Sequence, residues 1–310
     1  MTRFANQRGQ SMVLTLVFMT ALMAMATAVL DVGSWYRTHR HTQATADAAA
    51  LAAAQELPDF PADAVTSAVD YADRNGGGVG AEDVEFPPGT VEANDTVKVT
   101  ARKNAPGFLS RLFGIDSLTA RAGATARVGA LGSAKWAAPI GVDVRHEFLG
   151  CNAALECNPR FDEPTELTFD KVGPGAFRLL NIDGSHGGTG PPVIGEWIRT
   201  GLDGTMPRNE WYYSDPGIKP NSSHIKGALE SRFGDHKEIL IPIYSDTRAQ
   251  GAGFDYYVVG WVGWVVTDYK IRGVNEATVY GHFTRVIWDG IQSESGSDES
   301  FGARTVELVE

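Results

Sequence analysis

Residue types able to do chemistry are few and scattered in this 310-residue sequence. The densest group is Asn181-Ile-Asp-Gly-Ser-His-Gly-Gly-Thr-Gly190. There Ser185, His186 and Asp183 could supply a nucleophile, a base and a carboxylate, and the glycines could let backbone amides face an anion. A hydrolytic triad is defined by geometry, however, and the Gly-x-Ser-x-Gly elbow that would present a serine is missing. Also missing are the lysine and Ser/Thr that close a phosphate-binding P-loop. His146-Glu147 begins like the His-Glu-x-x-His pair of a zinc-binding helix, but Gly150 stands where the second histidine is needed. Cys151 and Cys157, the only cysteines, have five residues between them. A disulfide closing a tight loop is the favoured reading in an exported chain, against two free thiols or a metal pair with His146 as third ligand. No catalytic, cofactor or metal constellation is complete, so the expectation is a chain that is not an enzyme and carries no cofactor.

The element that must position everything else lies at the start. Met12 to Leu30 contains no charge, proline or glycine. Its nineteen residues at ~1.5 Å each nearly span the ~30 Å hydrocarbon core of a bilayer. A buried core helix would show a polar stripe, and this segment shows none. Arg3 and Arg8 with Ala24-Met25-Ala26 or Ala26-Thr27-Ala28 could instead make a secretory signal with a small-residue cleavage site. Against cleavage, helix-forming sequence continues past the alanines to Glu56, and Pro58 stops it by pushing Leu57 out of helical geometry. Asp31 marks the outer membrane boundary, or pairs with a partner helix. Trp35 and Tyr36 sit where amphipathic aromatics line the interface. Arg3 and Arg8 before the span nearly balance Arg37 and Arg40 after it. Long C-terminal domains translocate largely regardless of charge, and the cysteines favour an oxidising side, so the amino terminus is placed inside and the bulk outside.

Arg8-Gly9-Gln10, the apolar span, Asp31-Val32-Gly33, Tyr36-Arg37, Gln43-Ala44 and Ala46-Asp47-Ala48-Ala49-Ala50-Leu51-Ala52 together resemble the membrane-anchored TadE/TadG-like proteins of the Tad (tight adherence, Flp-type pilus) assembly system. The resemblance covers the first fifth of the chain. It implies a membrane-anchored pilus-assembly protein, and in some members a leader cut by a prepilin-type peptidase, here between Gly9 and Gln10. Leu14 stands where pilin-like substrates carry glutamate, and uncut the segment is a signal anchor. Asp183, Ser185 and Thr189 are faintly similar to the metal-adhesion motif of von Willebrand A domains, which occur in some TadG-like chains, but Gly187 replaces its second serine. Ala44, Ala48 and Ala52 share one helical face that would let another helix approach closely. The competing reading is that alanine is simply the best helix former, since residues 46 to 54 are alanine-rich all round.

Beyond the rod, Pro61 to Asn75 reads as a helix ended by Gly76-Gly77-Gly78, with Ala64, Val65, Ala68, Val69 and Ala72 on one face. Strands are expected at 83–86, 96–101 and 117–128, with a short helix at 106–113. This small helix-on-sheet layout is similar to pilin architecture. After Gly129 to Ser133 the composition shifts to Gly, Pro and aromatics, with six of the seven tryptophans. Strands are expected at 165–169, 176–181, 238–244, 256–269, 277–288 and 305–309, and helices at 193–200 and 224–233. Trp261 and Trp264 on opposite faces suggest a sheet covered on both sides, or a broad binding face. Pro242 implies an edge strand or bulge. The acidic stretch 293–300 reads as a mobile loop or surface turn.

The fold class expected is α+β: a long N-terminal transmembrane helix, a small pilin-like α/β region, then a β-rich C-terminal domain. The divisions are a cytoplasmic leader at 1–10, the transmembrane and projecting helix at 11–57, a small domain at 58–131 and the β-rich extracytoplasmic domain at 132–310. A net charge of −11 argues against nucleic acid, which needs a clustered basic face. The expected partners are the lipid bilayer, other membrane or pilus-assembly proteins and cell-wall material, with oligomers allowed. Two rivals stand: an exported glycan- or ligand-binding module, which would show exposed tryptophans in a concave patch, and an exported hydrolase, which would gather Asp183, Ser185 and His186 in a pocket.

Overall fold

The computed structural model describes residues 10–309 except 89–92, 109, 170–172, 174, 215, 218–219, 234–236, 252, 272, 274–275 and 294–298. Gly9 and the rest of the leader, and most of the acidic stretch 293–300, therefore lie outside the described residues. The chain is α+β and divides into two compact units, Met1–Arg127 with Leu308–Glu310, and Val128–Glu307.

In the first unit, helix α1 runs unbroken over Gln10–Ala54, 45 residues. With no proline or glycine before Gly33, nothing interrupts its hydrogen-bond ladder. The three threonines of the apolar run do not leave hydroxyls bare. Thr15 donates to Ser11 O at 2.8 Å, Thr20 to Val17 O at 2.8 Å and Thr27 to Met23 O at 2.7 Å. Each polar group is thus satisfied inside the helix, the condition for lying in hydrocarbon.

Helix α2, Pro61–Arg74, begins with proline at N1 and ends before three glycines with positive φ. At Gly78 a Cβ would fall 2.4 Å from Arg102 O, so only glycine lets the chain pass that backbone there. Strands β1 (Val84–Glu85), β2 (Thr96–Pro106) and β3 (Ser117–Lys135) pair antiparallel in that order. Val97, Val99, Ala101 and Ala105 of β2 and Ala122, Ala124 and Ala126 of β3 are buried, the period-two face that a half-covered sheet requires. Opposite them lies α1 with Ala46, Ala49, Ala50 and Ala53, and α2 packs on α1 with Ala64, Ala68 and Ala72, all with no exposed surface. Side chains this small bring helix and sheet backbones close, and leave no slack for a larger residue. The end of the chain belongs to this unit too, Val309 N–H donating to Thr125 O at 2.9 Å.

The second unit is built on seven strands: β4 (Ile140–Asp143), β5 (Thr165–Phe169), β6 (Ala176–Leu179), β8 (Glu210–Ser214), β9 (Ile239–Gln250), β10 (Gly253–Ile271) and β11 (Ala277–Thr284). Their order is β11-β5-β6-β4-β9-β10-β8, and β11 also pairs with β10, so six of them close into a ring. The 19-residue β10 makes this possible. Residues 254–258 pair with β8 and residues 263–271 with β11 on the same side, while β9 runs along the other. Helices α3 (Pro191–Thr200) and α4 (Ser223–Glu230) pack together at Gly195, where a Cβ would meet His224 O at 2.8 Å. Ile194, Ile198, Ile225 and Leu229 from these helices join Ile140, Val142, Ile241, Ile243, Val262 and Trp264 in one core cluster. Trp261, Tyr244, Tyr256, Val258 and Leu240 form a second with Leu131 and Met206. Short strands β7 (Thr205–Pro207) and β13 (Gly290–Gln292) pair with the far end of β3, and β12 (Val286–Ile287) pairs parallel with β14 (Ala303–Leu308).

Pro242 does not mark an edge. β9 is paired on both sides, with Trp261 opposite Pro242 on β10. Leu240 O and Tyr244 O accept from Ala138 and Val144 on the β4 side. Residues two apart point the same way, so the missing proline donor also faces β4, where the pairing covers only Val142 and Asp143. Expected helix 106–113 is instead the end of β2 followed by a 3-10 turn at Ser110–Phe113.

Because the first unit's core is alanine and valine apart from Leu57, replacing Ala68 by leucine should cost about 1–3 kcal/mol through overpacking. Denaturant unfolding of the detergent-solubilised full chain, followed by far-ultraviolet circular dichroism, measures this. An unchanged midpoint would mean the α2 face is loosely packed.

Candidate functional site

Helix α1 changes environment along its length, and the change is centred on Asp31. From Ser11 to Ala26 every residue is exposed, including Met12, Leu14, Phe18 and Met23 at 79, 73, 66 and 65%. The helix is long and apolar enough here to cross a membrane. Thr27 and Asp31 are then buried, at 9 and 1%, followed at helical spacing by half-buried Ser34, Trp35 and Thr38, and buried Thr42, Thr45, Ala46, Ala49 and Ala53. One stripe of small and polar residues thus docks the second half of α1 on its own unit.

Polar partners fix the helix along that stripe. Asp31 accepts from Phe108 N–H at 3.0 Å through Oδ1 and from Ser110 N–H at 2.6 Å through Oδ2. A carboxylate with both oxygens engaged by backbone amides is well compensated for its burial. The donors come from the tip of the β2–β3 hairpin, which holds itself in shape. Gly107 N–H donates to Asp116 O at 2.9 Å, Ile115 N–H to Ser110 O at 3.1 Å and the Ser110 hydroxyl to Ile115 O at 3.1 Å. Further along, Gln43 Nε2 donates to Gly123 O at 3.0 Å, and Lys103 Nζ donates to Thr45 Oγ1 at 3.0 Å and Asn75 O at 3.1 Å. Of the predicted packing face, Ala52 is 5% exposed, Ala48 is half-buried and Ala44 is exposed. Trp35 is half-buried and Tyr36 is 63% exposed.

Cys151 and Cys157 are joined by a disulfide. Asn152 closes the same loop from within, its Oδ1 accepting from Ala154 and Glu156 N–H and its Nδ2 donating to the Glu156 carboxylate. His146 is apart from the sulfurs' chemistry. Its ring is buried edge-on against Phe283, with Nδ1 accepting from Phe148 N–H at 3.1 Å and Nε2 facing Glu166 O at 3.3 Å. That pattern selects the neutral tautomer protonated on Nε2. Among the described residues no group of three or more His, Cys, Asp or Glu could hold a metal ion.

The 181–190 loop does not gather a triad. Asp183 is exposed and accepts from Ser185 N–H at 3.0 Å, a local turn, while the Ser185 hydroxyl pairs with Thr189 at 3.0 Å. His186 is exposed and leans over Tyr213, its Nδ1 3.9 Å from the Asp255 carboxylate. Asp255 is fully buried and held by Arg248 Nε at 2.9 Å. Serine and histidine of the loop therefore point to different partners.

A concave feature lies elsewhere in the second unit, a cavity of about 310 Å³ lined by Trp136, Trp288, Thr200, Arg232, Lys237 and Glu238 among others. Trp136 is 41% exposed, and Trp288 is half-buried with its indole N–H on Lys135 O at 2.7 Å. Arg232 donates to the Ile198 and Arg199 carbonyls at the end of α3, the favourable place for a cation. Composition singled out the tryptophan-rich half but could not say which tryptophans stay at a surface.

Among the described residues one helix, α1, is long and apolar enough to cross a membrane, and in this α+β chain it continues into its own folded unit. Residues 9–56, 48 of the 310 (56 − 9 + 1), match the family model described as "Putative Flp pilus-assembly TadE/G-like". Helix and match together support a pilus-related, membrane-anchored component. No curated protein and no solved structure matches the chain.

Burial lowers the pKa of His146 below its usual value, outweighing the Glu166 carbonyl and the Glu147 and Asp143 charges that raise it, with Arg160 adding to the lowering. The unfolded state then takes up a proton near pH 6.5 that the folded state refuses. Stability is full above that pH and declines as pH falls toward the lowered folded value. Unfolding at pH 7.5 and 5.5 should show this loss in the parent chain and a smaller loss in His146→Gln. Equal losses would place the effect on other groups.

Proposed function

We propose that the chain is a single-pass structural or assembly component of a Tad/Flp-like pilus or related surface system, with its amino terminus inside and both folded units outside the membrane. The observation that carries this reading is the two-natured α1: an apolar, uncovered first half and a second half docked by Asp31 and an alanine stripe on its own unit. Such a helix transmits position rather than chemistry. It holds the first folded unit at a set distance from the bilayer, and protein partners or cell-wall material meet the folded units outside. Ala44 and Ala48, which the unit leaves exposed or half-exposed, are the part of the alanine face open to a partner helix. The disulfide supports an oxidising compartment for the second unit.

Intact mass of the membrane-extracted protein tests the anchor. A full-length mass, or one beginning at Gln10 after pilin-like processing, keeps α1 attached and is the expected outcome. A mass beginning near Thr27 or Val29 would mean a secretory signal has been removed, and would end the anchored reading.

A second reading rests on the cavity at Trp136 and Trp288. Trp261 and Trp264 are 1 and 0% exposed, so neither offers a binding face. Trp136 and Trp288 instead put two aromatic surfaces beside Arg232, Lys237 and Glu238, a mixture suited to a sugar with charged substituents such as a cell-wall fragment. Titrating the full chain in detergent with soluble peptidoglycan fragments should give a saturable change in tryptophan fluorescence. Trp136→Ala should weaken it by about tenfold or more, the cost of losing about 1.4 kcal/mol. No saturable change, or equal affinity in the variant, would remove this reading.

A further inference from the structure

The hairpin tip that grips Asp31 carries apolar side chains that nothing in its own unit covers. Phe108 is 63% exposed, Ile115 43% and Leu118 44%. On α1 beside the same level, Val32 is 57% and Tyr36 63% exposed. A unit whose core is otherwise complete has no need to leave such residues in water, and exposed apolar clusters mark interaction surfaces.

What covers them follows from where Asp31 stands. The nineteen uncharged residues Met12 to Leu30 end immediately before it and account for nearly the ~30 Å hydrocarbon thickness. Asp31 is therefore at the rim of the hydrocarbon, and its two hydrogen bonds to Phe108 and Ser110 amides fix the hairpin tip at that same depth. The tip cannot lie far out in water while the helix spans. Its shape is set by its own bonds between Gly107 and Asp116 and between Ser110 and Ile115, so the exposed side chains are held at the headgroup level. Aromatic and aliphatic groups with polar backbone beside them suit that layer, and exposed Arg111 adds a cation for lipid phosphates. Asp116 is exposed at the base of the turn, and a carboxylate there belongs to the aqueous side of the same layer.

We infer that the β2–β3 hairpin tip is a second membrane contact, in which Phe108, Ile115 and Leu118 insert into the interfacial layer of the bilayer beside α1 while Asp31 clamps the tip to the helix. The consequence is mechanical. A single helix lets its attached unit tilt and turn freely, whereas a helix plus an inserted hairpin sets the unit's orientation over the membrane. This inference rests on α1 spanning the bilayer, and its test separates the two.

Both native cysteines are consumed in the disulfide, so introduced thiols can be spin-labelled singly. Full-length F108C, L118C, F60C and M19C would be placed in vesicles of phosphatidylethanolamine and phosphatidylglycerol, and the depth of each label read from its collisions with oxygen and with an aqueous nickel chelate. The expected result is a hydrocarbon signal at 19, an interfacial one at 108 and 118, and an aqueous one at 60, where Phe60 is 50% exposed at the start of α2. If 19 is buried in lipid while 108 and 118 collide with nickel as freely as 60, the hairpin contact is wrong and the anchor stands. An aqueous signal at 19 overturns both. In the F108C chain, Asp31→Ala should return the 108 label to the aqueous value without moving that at 19; a label equally deep without Asp31 would overturn the clamp.

Discussion

One carboxylate divides this protein. A continuous helix that is apolar and uncovered on its first half and packed against protein on its second needs a place where the rules change, and Asp31 is that place. A buried carboxylate is tolerable only when its charge is met, and two backbone amides meet it. Backbone amides have no rotamer to drift and are lost only to proline, and they belong to a hairpin whose tip is itself internally bonded. Asp31 thereby links the end of the apolar run to β2 and β3, so the first unit's sheet is registered to the helix at one turn.

The rest of the first unit follows from keeping that registration tight. Alanines on α1, on α2 and on the inner face of the sheet allow close approach, and the polar atoms of Gln43, Thr45 and Lys103 are used at the margins. Small residues give less apolar area per contact than leucine would. They offset this by excluding alternatives, because a helix lying this near a sheet cannot rotate without colliding with backbone. A helix docked in this way is fixed more by that constraint than by the depth of its core.

Much of this was legible in the sequence, for physical reasons that also explain the rest. The apolar run, the α2 face of Ala64, Ala68 and Ala72, and the alternating Val97 and Val99 are period signals that local sequence carries in full. Which side of α1 docks was hidden, because residues 46 to 54 are alanine-rich all round and a stripe has no contrast there; the buried positions run through Thr42, Thr45, Ala46, Ala49 and Ala53. The role of Asp31 was half visible. Its place at the end of the apolar run could be read, but its partners are backbone amides 77 and 79 residues away, and amides have no residue type to search for. Closure of the strand ring depended likewise on the long β10 exchanging partners midway, a property of register that Pro242 in neighbouring β9 could not announce.

The same logic decides between chemistry and contact in the second unit. Serine, histidine and aspartate within four residues suggest a reactive group only while their directions are unknown. In the fold, Asp183 and Ser185 spend their hydrogen bonds on turning the loop, and His186 leaves them for Tyr213 and Asp255. Trp261 and Trp264, three residues apart on one strand, face opposite core clusters and are sealed from solvent. What is left at the surface with aromatic area and charge together is the Trp136 and Trp288 cavity, walled by the end of α3 and the start of β9. Two of its polar groups are anchored to carbonyls, Arg232 on Ile198 and Arg199 and Trp288 on Lys135. Groups fixed in that way present aromatic area and charge in a set arrangement, which suits recognition of a ligand.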